Sequence, residues 1–194
     1  MHLQPPGPSG AACLDMVLSY PDPTLTEAKV TLRPWLDSDL PCVKEASVDG
    51  CITAVCTMPK ACTPAEGLAF IDRQRKRFTM GEGLAFAVTE TWSGEAVGHA
   101  ELLIRPRRGI VSIQYWLLER RRGNRLGLHA VLLLSRWVLE KTEIERIDAF
   151  VEATNIASIR VLERASFQQE SARAPRDLKV RGADLYVYSL SAAL

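Results

Sequence analysis

Apolar runs are short throughout this chain. The longest candidate, Ala130 to Leu134, has five residues, where a bilayer-spanning helix needs about 20. No basic stretch followed by an apolar one opens the sequence. Met1 to Gly10 instead carries Pro5, Pro6, Gly7 and Pro8, so no signal peptide is read there and the cytoplasm is the expected location. The five cysteines, Cys13, Cys42, Cys51, Cys56 and Cys62, include no CxxC pair and have no histidine in metal-ligand spacing. Reduced thiols and no metal are therefore expected. Charge of one sign is scarce too: 24 Lys plus Arg stand against 23 Asp plus Glu, a net charge of +1. That balance gives no global reason for nucleic acid or an anionic membrane as partner, so a charge-driven site would have to be local. What is present is 47% hydrophobic residues in 194, enough for one core that buries roughly 70% of the unfolded chain's surface without staples.

Residues 1–28 are rich in Pro and Gly and read as an N-terminal extension; residues 29–194 contain no linker and read as one domain. Lys29 to Pro34 alternates Val30 and Leu32 with polar neighbours as a first strand. Asp37 or Asp39 then caps a helix through Val48, with Pro41 in its first turn. Thr63, Pro64 and Glu66 stand as N-cap, N1 and N3 of a capping box, and Leu68, Ile71 and Phe78 follow on one face to about Met80. Gly81 and Gly83 end that helix. Leu84 to Val88 and Ala96 to Ile104 form a hairpin about Ser93 and Gly94, and a turn at Pro106 to Gly109 leads to a third strand with Val111, Ile113, Tyr115 and Leu117 on one face. A helix from Leu126 to about Lys141 buries Leu126, Ala130, Leu133, Leu134 and Trp137. Then come a strand at Arg146 to Val151, a helix at Ile156 to Ala165 and a strand at Leu185 to Leu190. The fold class is α/β, a single-layer mixed, mostly antiparallel sheet flanked by helices.

The stretch from Tyr115 to Leu128 runs from a strand through an Arg and Gly-rich loop into a helix. Such a loop presents successive backbone N–H groups at a helix N-terminus, where unpaired donors and the macrodipole bind phosphate oxygens. It has no Gly-Lys-Ser/Thr of a Walker loop, and Gly123 and Gly127 have the wrong spacing for a dinucleotide fingerprint. Seven arginines (105, 107, 108, 120, 121, 122, 125) stand against Glu119 between positions 105 and 125, which would attract a polyanion. A solvated turn kept soluble by its arginines is the other reading.

Arg122-x-x-Arg125-x-Gly127 opening a helix, followed by Asn155-x-x-Ser158-x-x-x-Leu162-x-x-x-x-Phe167, resembles the GCN5-related N-acetyltransferases (GNAT), in particular the RimJ/RimL type of protein N-terminal acetyltransferase. Val30 to Pro34, Gly83 to Val88, Val97-Gly98, Tyr115-Trp116 and Asp184 to Leu190 resemble the family's opening strand, hairpin, splayed strand and closing strand. The likeness covers about residues 29 to 191. It implies acetyl-CoA as co-substrate in a gap between the third and fourth core strands. The pyrophosphate would lie on Arg122, Gly123, Asn124, Arg125, Leu126, Gly127 and Leu128, and the pantetheine arm along the backbone of Trp116, Leu117 and Leu118. Asn155 matches the family's pantetheine contact and Ser158 its donor to the leaving thiolate; as plain structure, Asn155 is a helix N-cap and Ser158 a first-turn residue. The chain departs from the family at Arg125, where Gly is usual, and at Ser112, Gln114 and Ser166.

Acetyl transfer to an amine needs a route for the amine proton. Glu101, on a strand face with His99 and Leu103, is one acid for that role and Glu170 the other; each also reads as a solvated or salt-bridged acid. Trp35, Cys56, Met58, Phe70 and Phe78 fall where the family builds its acceptor pocket, and helical spacing equally makes them core. The resemblance implies direct transfer in a ternary complex to the α-amine of a protein or peptide, or to a small amine metabolite or antibiotic. No nucleic-acid or membrane partner is expected, since the arginine cluster has no interleaved aromatics for base stacking, and a homodimer is admitted. The rival reading is an inactive GNAT-fold protein that binds acyl-CoA and regulates.

Overall fold

In the computed structural model, which describes residues 18–105, 107, 109–173 and 185–192, the capping box at Thr63 is formed. The Thr63 hydroxyl accepts from the Glu66 N–H at 3.3 Å and the Glu66 carboxylate accepts from the Thr63 N–H at 2.8 Å. The helix it starts, α3, spans Pro64–Thr79; α1 spans Leu40–Val48, after a single 3-10 turn at Asp37–Asp39. Between them lies α2, Gly50–Val55, a helix the sequence pattern does not announce. Its start is chemical rather than periodic: Asp49 Oδ1 accepts from the N–H groups of Cys51 (2.8 Å) and Ile52 (3.3 Å). The other helices are α4, Leu126–Lys141, and α5, Ile156–Arg164. No described helix is long and apolar enough to cross a membrane.

The strands are β1 Leu25–Glu27, β2 Val30–Pro34, β3 Gly83–Glu90, β4 Ala96–Ile104, β5 Ile110–Leu117, β6 Arg146–Glu152, β7 Gln168–Arg173 and β8 Leu185–Ser191. They form one sheet in the order β1-β2-β3-β4-β5-β6-β8-β7, antiparallel except for the β5–β6 pair. The expected single-layer, mostly antiparallel sheet with flanking helices is the observed one. Two strands lie outside the sequence reading. Strand β1 adds three residues to the front edge, pairing Leu25 with Leu32, and β7 closes the far edge against β8. Leu18 is buried and the Tyr20 hydroxyl donates to the Ala85 carbonyl at 2.9 Å, so residues 18–28 are laid on the sheet. The rest of the expected extension, with Cys13, lies outside the described residues, as do Pro106, Arg108 and Asp184.

Alternation along each strand sorts the core into two faces. Ala100, Leu102, Val111 and Ile113 pack with Leu126, Ala130, Val131 and Leu134 of α4. On the other face Trp116 packs with Trp35, Cys42, Val43, Phe70 and Ile71 beneath α1 and α3. Trp35, Met58 and Phe70 are therefore core, with Cys56 packed against them, whereas Phe78 is 38% exposed.

Two glycines are required by close approach. A Cβ on Gly83, whose φ is +142°, would stand 1.9 Å from the Leu102 carbonyl oxygen, and one on Gly98 would stand 2.4 Å from that of Trp116. Both contacts fall inside any real carbon–oxygen separation, so these positions fix how tightly β4 lies against β3 and β5.

Candidate active site

Strands β5 and β6 pair only at Ile110↔Arg146, Val111↔Ile147 and Ser112↔Asp148. Beyond Ser112, β5 continues to Leu117 and β6 to Glu152 without pairing to each other, which opens a fork in mid-sheet. At the mouth of the fork the chain turns through Leu118 to Arg125 into α4. The first intrahelical bond runs from the His129 N–H to the Arg125 carbonyl at 3.0 Å. The N–H groups of Leu126, Gly127 and Leu128 thus precede any helical acceptor and sit at the positive end of the macrodipole. Of the backbone from Trp116 to Leu118, the Leu118 N–H is bound to the Val97 carbonyl (2.9 Å) and the Leu117 carbonyl accepts from Arg122 Nε (3.1 Å).

Arg125 lies at φ +63°, ψ +6°, the left-handed region. Arg125 therefore holds a backbone conformation that glycine adopts without strain. Gly127 is buried, and a Cβ there would meet Leu117 and Tyr115 side-chain atoms at 3.5 Å, ordinary contact distance.

Arg105, Arg120, Arg121 and Arg122 are not the free cations that the count suggests. Arg120 binds Glu45 of α1 (2.8 Å) and Glu95 (2.7 Å), and Arg121 binds Glu90 (3.1 Å) and Glu95 (3.3 Å). Arg122 binds Asp49 Oδ2, on the same carboxylate whose Oδ1 caps α2. Arg105 lies over the Phe150 ring at 5.4 Å. Folding brings in acids 25 to 75 residues away in sequence, which no local count can see. Exposed pairs of this kind contribute little stability individually; their effect is to lace the loop to α1, α2 and the β3–β4 hairpin. The Arg125 side chain makes no ion pair or hydrogen bond among the described residues, so its charge stays open to a ligand.

Two hydroxyls meet at the fork. Tyr115 OH and Ser158 Oγ are 2.9 Å apart, joining β5 to the first turn of α5. Burial pushes the Tyr115 hydroxyl up to about 12, with the Ser158 hydrogen bond acting in the opposite direction. Tyr115 therefore remains a proton donor at neutral pH, and a bond from it to Ser158 Oγ frees the Ser158 proton for an outside acceptor. The sequence reading places Tyr115 only as a packing residue; its partner is 43 positions away. Asn155 is the N-cap of α5, its Oδ1 accepting from the Ser158 N–H at 3.0 Å.

On the opposite face, Glu101 of β4 is 6% exposed. Its Oε2 lies 3.2 Å from Arg77 Nε of α3 and 3.3 Å from His99 Nε2, close enough for ion pairing without full hydrogen-bond alignment. Burial pushes the Glu101 carboxyl up, but the His99 N–H that faces it and the Arg77 charge hold it below its usual range. It is anionic at neutral pH. Glu101 is directly opposite Gln114 on β5, and Gln114 is exposed although it sits in an inner strand. On either side of Gln114, on that face, Ser112 Oγ and Trp116 Nε1 are buried without a hydrogen-bond partner. An uncovered polar spot flanked by unpaired donors next to a carboxylate suits an incoming amine-bearing ligand.

Glu170 is not brought to this group. Its carboxylate accepts from Ser189 Oγ and lies 3.2 Å from Arg146, on the β6–β8–β7 side of the sheet. Nor do Glu101 and Ser158 touch: they occupy opposite faces, one on each side of β5.

Residues 29–168 match the family described as Acetyltransferase (GNAT) domain. A Bacillus subtilis (strain 168) relative, "Probable N-acetyltransferase YjcK", is 28% identical over 121 residues; these make up 58% of this chain and 66% of that protein, just under two thirds of its length. Among solved structures, a GNAT-family acetyltransferase from Bacillus anthracis superposes with a TM-score of 0.74 at 16% identity, covering 87% of this chain and 98% of that one. RimL, the ribosomal L7/L12 alpha-N-protein acetyltransferase solved with coenzyme A, gives 0.71 at 16% identity, covering 87% and 97%. At these identities the structural likeness is one of fold.

Proposed function

The chain belongs to the GNAT family of acetyltransferase domains, and on that premise we propose that it is an N-acetyltransferase of the RimJ/RimL type. Its co-substrate is acetyl-CoA, and the acceptor is the α-amine of a protein or peptide. The observation that carries the reading is the fork between β5 and β6, which opens onto the uncapped N–H groups of Leu126, Gly127 and Leu128. A pyrophosphate on those donors needs no side chain, and Arg125 adds a cation. The open edge of β5 offers backbone groups to an extended arm, and the Tyr115–Ser158 pair stands on the α4 face of that fork.

Acetyl-CoA supplies the activated acyl carbon; the residues of this chain supply orientation and proton routes. An amine with an ordinary pKa of 8 to 10 is mostly protonated at pH 7, so it must lose a proton before attack. Glu101, anionic and beside the exposed Gln114, is the carboxylate that would accept or orient that proton through a water. Ser158, recharged by Tyr115, would return a proton to the departing thiolate. Transfer is direct, with acceptor and donor bound together on the two faces of the sheet. The acceptor class follows RimL, whose name describes an alpha-N-protein acetyltransferase; a small amine metabolite or antibiotic is the alternative within the same chemistry.

The test is calorimetric titration with acetyl-CoA followed by a thiol-release screen over N-terminal peptides and small amines. Binding followed by thiol release with peptides is expected. Binding without release on any amine would establish the acyl-CoA-binding, regulatory reading instead, and no binding would overturn both.

A further inference from the structure

The imidazole of His99 is fixed on both nitrogens. Trp35 Nε1 donates to His99 Nδ1 at 3.2 Å, and both residues are buried, at 0% and 4% exposure. An indole N–H can only donate, so Nδ1 must present its lone pair and the ring's proton must be on Nε2. That nitrogen is the one 3.3 Å from Glu101 Oε2. The ring cannot turn away easily. It stacks on Trp116 with centroids 5.7 Å apart and planes 20° apart, and it lies edge-on to Phe70 at 6.3 Å. The Arg77 guanidinium, whose Nε–H is donated to the buried Gln74 Oε1 at 3.1 Å, adds its charge 3.2 Å from the same oxygen. Glu101 Oε2 thus faces the His99 N–H and the Arg77 charge without full hydrogen-bond alignment, and Oε1 makes no hydrogen bond among the described residues.

We infer that His99 is a positioning residue for acetyl transfer: Trp35 fixes its proton on Nε2, and that N–H, with Arg77, holds Glu101 by one oxygen and leaves the other for the amine or its water. The inference rests on the reading of Glu101 given above, and it assigns His99 the role of orienter rather than base. A base would need the free lone pair that Trp35 occupies. The long contacts to Oε2 suit this role, because catalytic hydrogen bonds often tighten only when substrate is bound.

The direct test is two-bond ¹H–¹⁵N correlation spectroscopy of the uniformly labelled full chain at neutral pH. The signals of His99 are identified by subtracting those lost in His2→Gln and His129→Gln. An unprotonated Nδ1 and a protonated Nε2 are expected; a proton on Nδ1, or on both nitrogens, overturns the proposal without any core variant having to fold. The second arm uses the peptide acceptor found by thiol release. His99→Gln places an amide N–H near the Nε2 position and should keep kcat within roughly threefold. His99→Asn reaches only the Nδ1 position and should lower kcat roughly tenfold or more at unchanged KM for acetyl-CoA. Equal kcat in the two variants overturns the positioning role. Glu101→Gln separates the two readings. Wild-type turnover in that variant, with the expected tautomer, refutes the catalytic use of Glu101 and of His99 with it. Impaired turnover with the wrong tautomer refutes the His99 assignment alone.

Discussion

Arg125→Gly should move stability and ligand affinity in opposite directions. The residue's φ of +63° places its Cβ against its own carbonyl, a conformation that costs an L-residue about 1–2 kcal/mol and glycine nothing. Glycine returns part of this gain through the larger entropy of the unfolded chain, about 0.4–1 kcal/mol. The net is a stabilisation on the order of 0.5–1 kcal/mol, or about 1–4 °C in Tm for a domain of this size. No ion pair is lost, since Arg125 has none among the described residues. Acetyl-CoA, in contrast, loses a cation near its phosphates. A unit-charge contact in water is worth on the order of 1 kcal/mol at 4 Å, so affinity should drop roughly fivefold at low salt and much less above about 0.5 M, where screening is short-ranged. Scanning calorimetry of the free protein and titration with acetyl-CoA at two ionic strengths measure both. Arg125→Lys is the control that keeps strain and charge together. A variant no more stable than wild type would refute the backbone argument. An unchanged salt dependence of binding would refute the phosphate contact.

Other expectations follow from neighbouring geometry. Gly127→Val drives methyl groups toward Tyr115 and Leu117 at the fork and should weaken acetyl-CoA binding by more than tenfold, about 1.4 kcal/mol; Gly127→Ala should fold as wild type, and titration of both checks the pair. Gly98→Ala, whose Cβ would overlap the Trp116 carbonyl, should lower both Tm and acetyl-CoA affinity by displacing the β5 backbone. Glu101→Gln should reduce turnover by roughly 10²-fold at pH 7, with most of the loss recovered at high pH, where free amine is abundant. Because the folded Glu101 carboxyl is held below its usual range, its contribution to stability is present above about pH 4.3 and is lost as pH falls through the lower folded value. Urea unfolding should therefore show the gap between wild type and Glu101→Gln shrinking in acid. Tyr115→Phe and Ser158→Ala should each slow turnover without recovery at high pH, and the double variant should be little worse than either alone, since the two hydroxyls act as one unit.

Long elements with a local start signal were legible in the sequence. The Thr63 capping box and the apolar face of α4 name their own boundaries, and alternation separates β3, β4 and β5. What escaped is structure made by distant partners. Helix α2 has only six residues and starts at an Asp49 cap rather than on a periodic face. Strand β7, Gln-Gln-Glu-Ser-Ala-Arg, has no apolar alternation and exists because β8 pairs with it. The same holds at the site. The phosphate-binding turn is contiguous, so its residues could be named in advance. The Tyr115–Ser158 and Trp35–His99 contacts join positions 43 and 64 apart, and the acids that neutralise Arg120 to Arg122 come from three other elements.

Asp49 holds the end of α2 with one oxygen and Arg122 with the other. A helix cap is worth about 1 kcal/mol, and the carboxylate supplies it best when Arg122 keeps that carboxylate in place. An anion that draws Arg122 toward itself withdraws part of this support, so the cofactor turn and the α1–α2 corner share one free energy. Linkage makes the exchange reciprocal: whatever stiffens that corner must change the turn's affinity for its anion by the same factor.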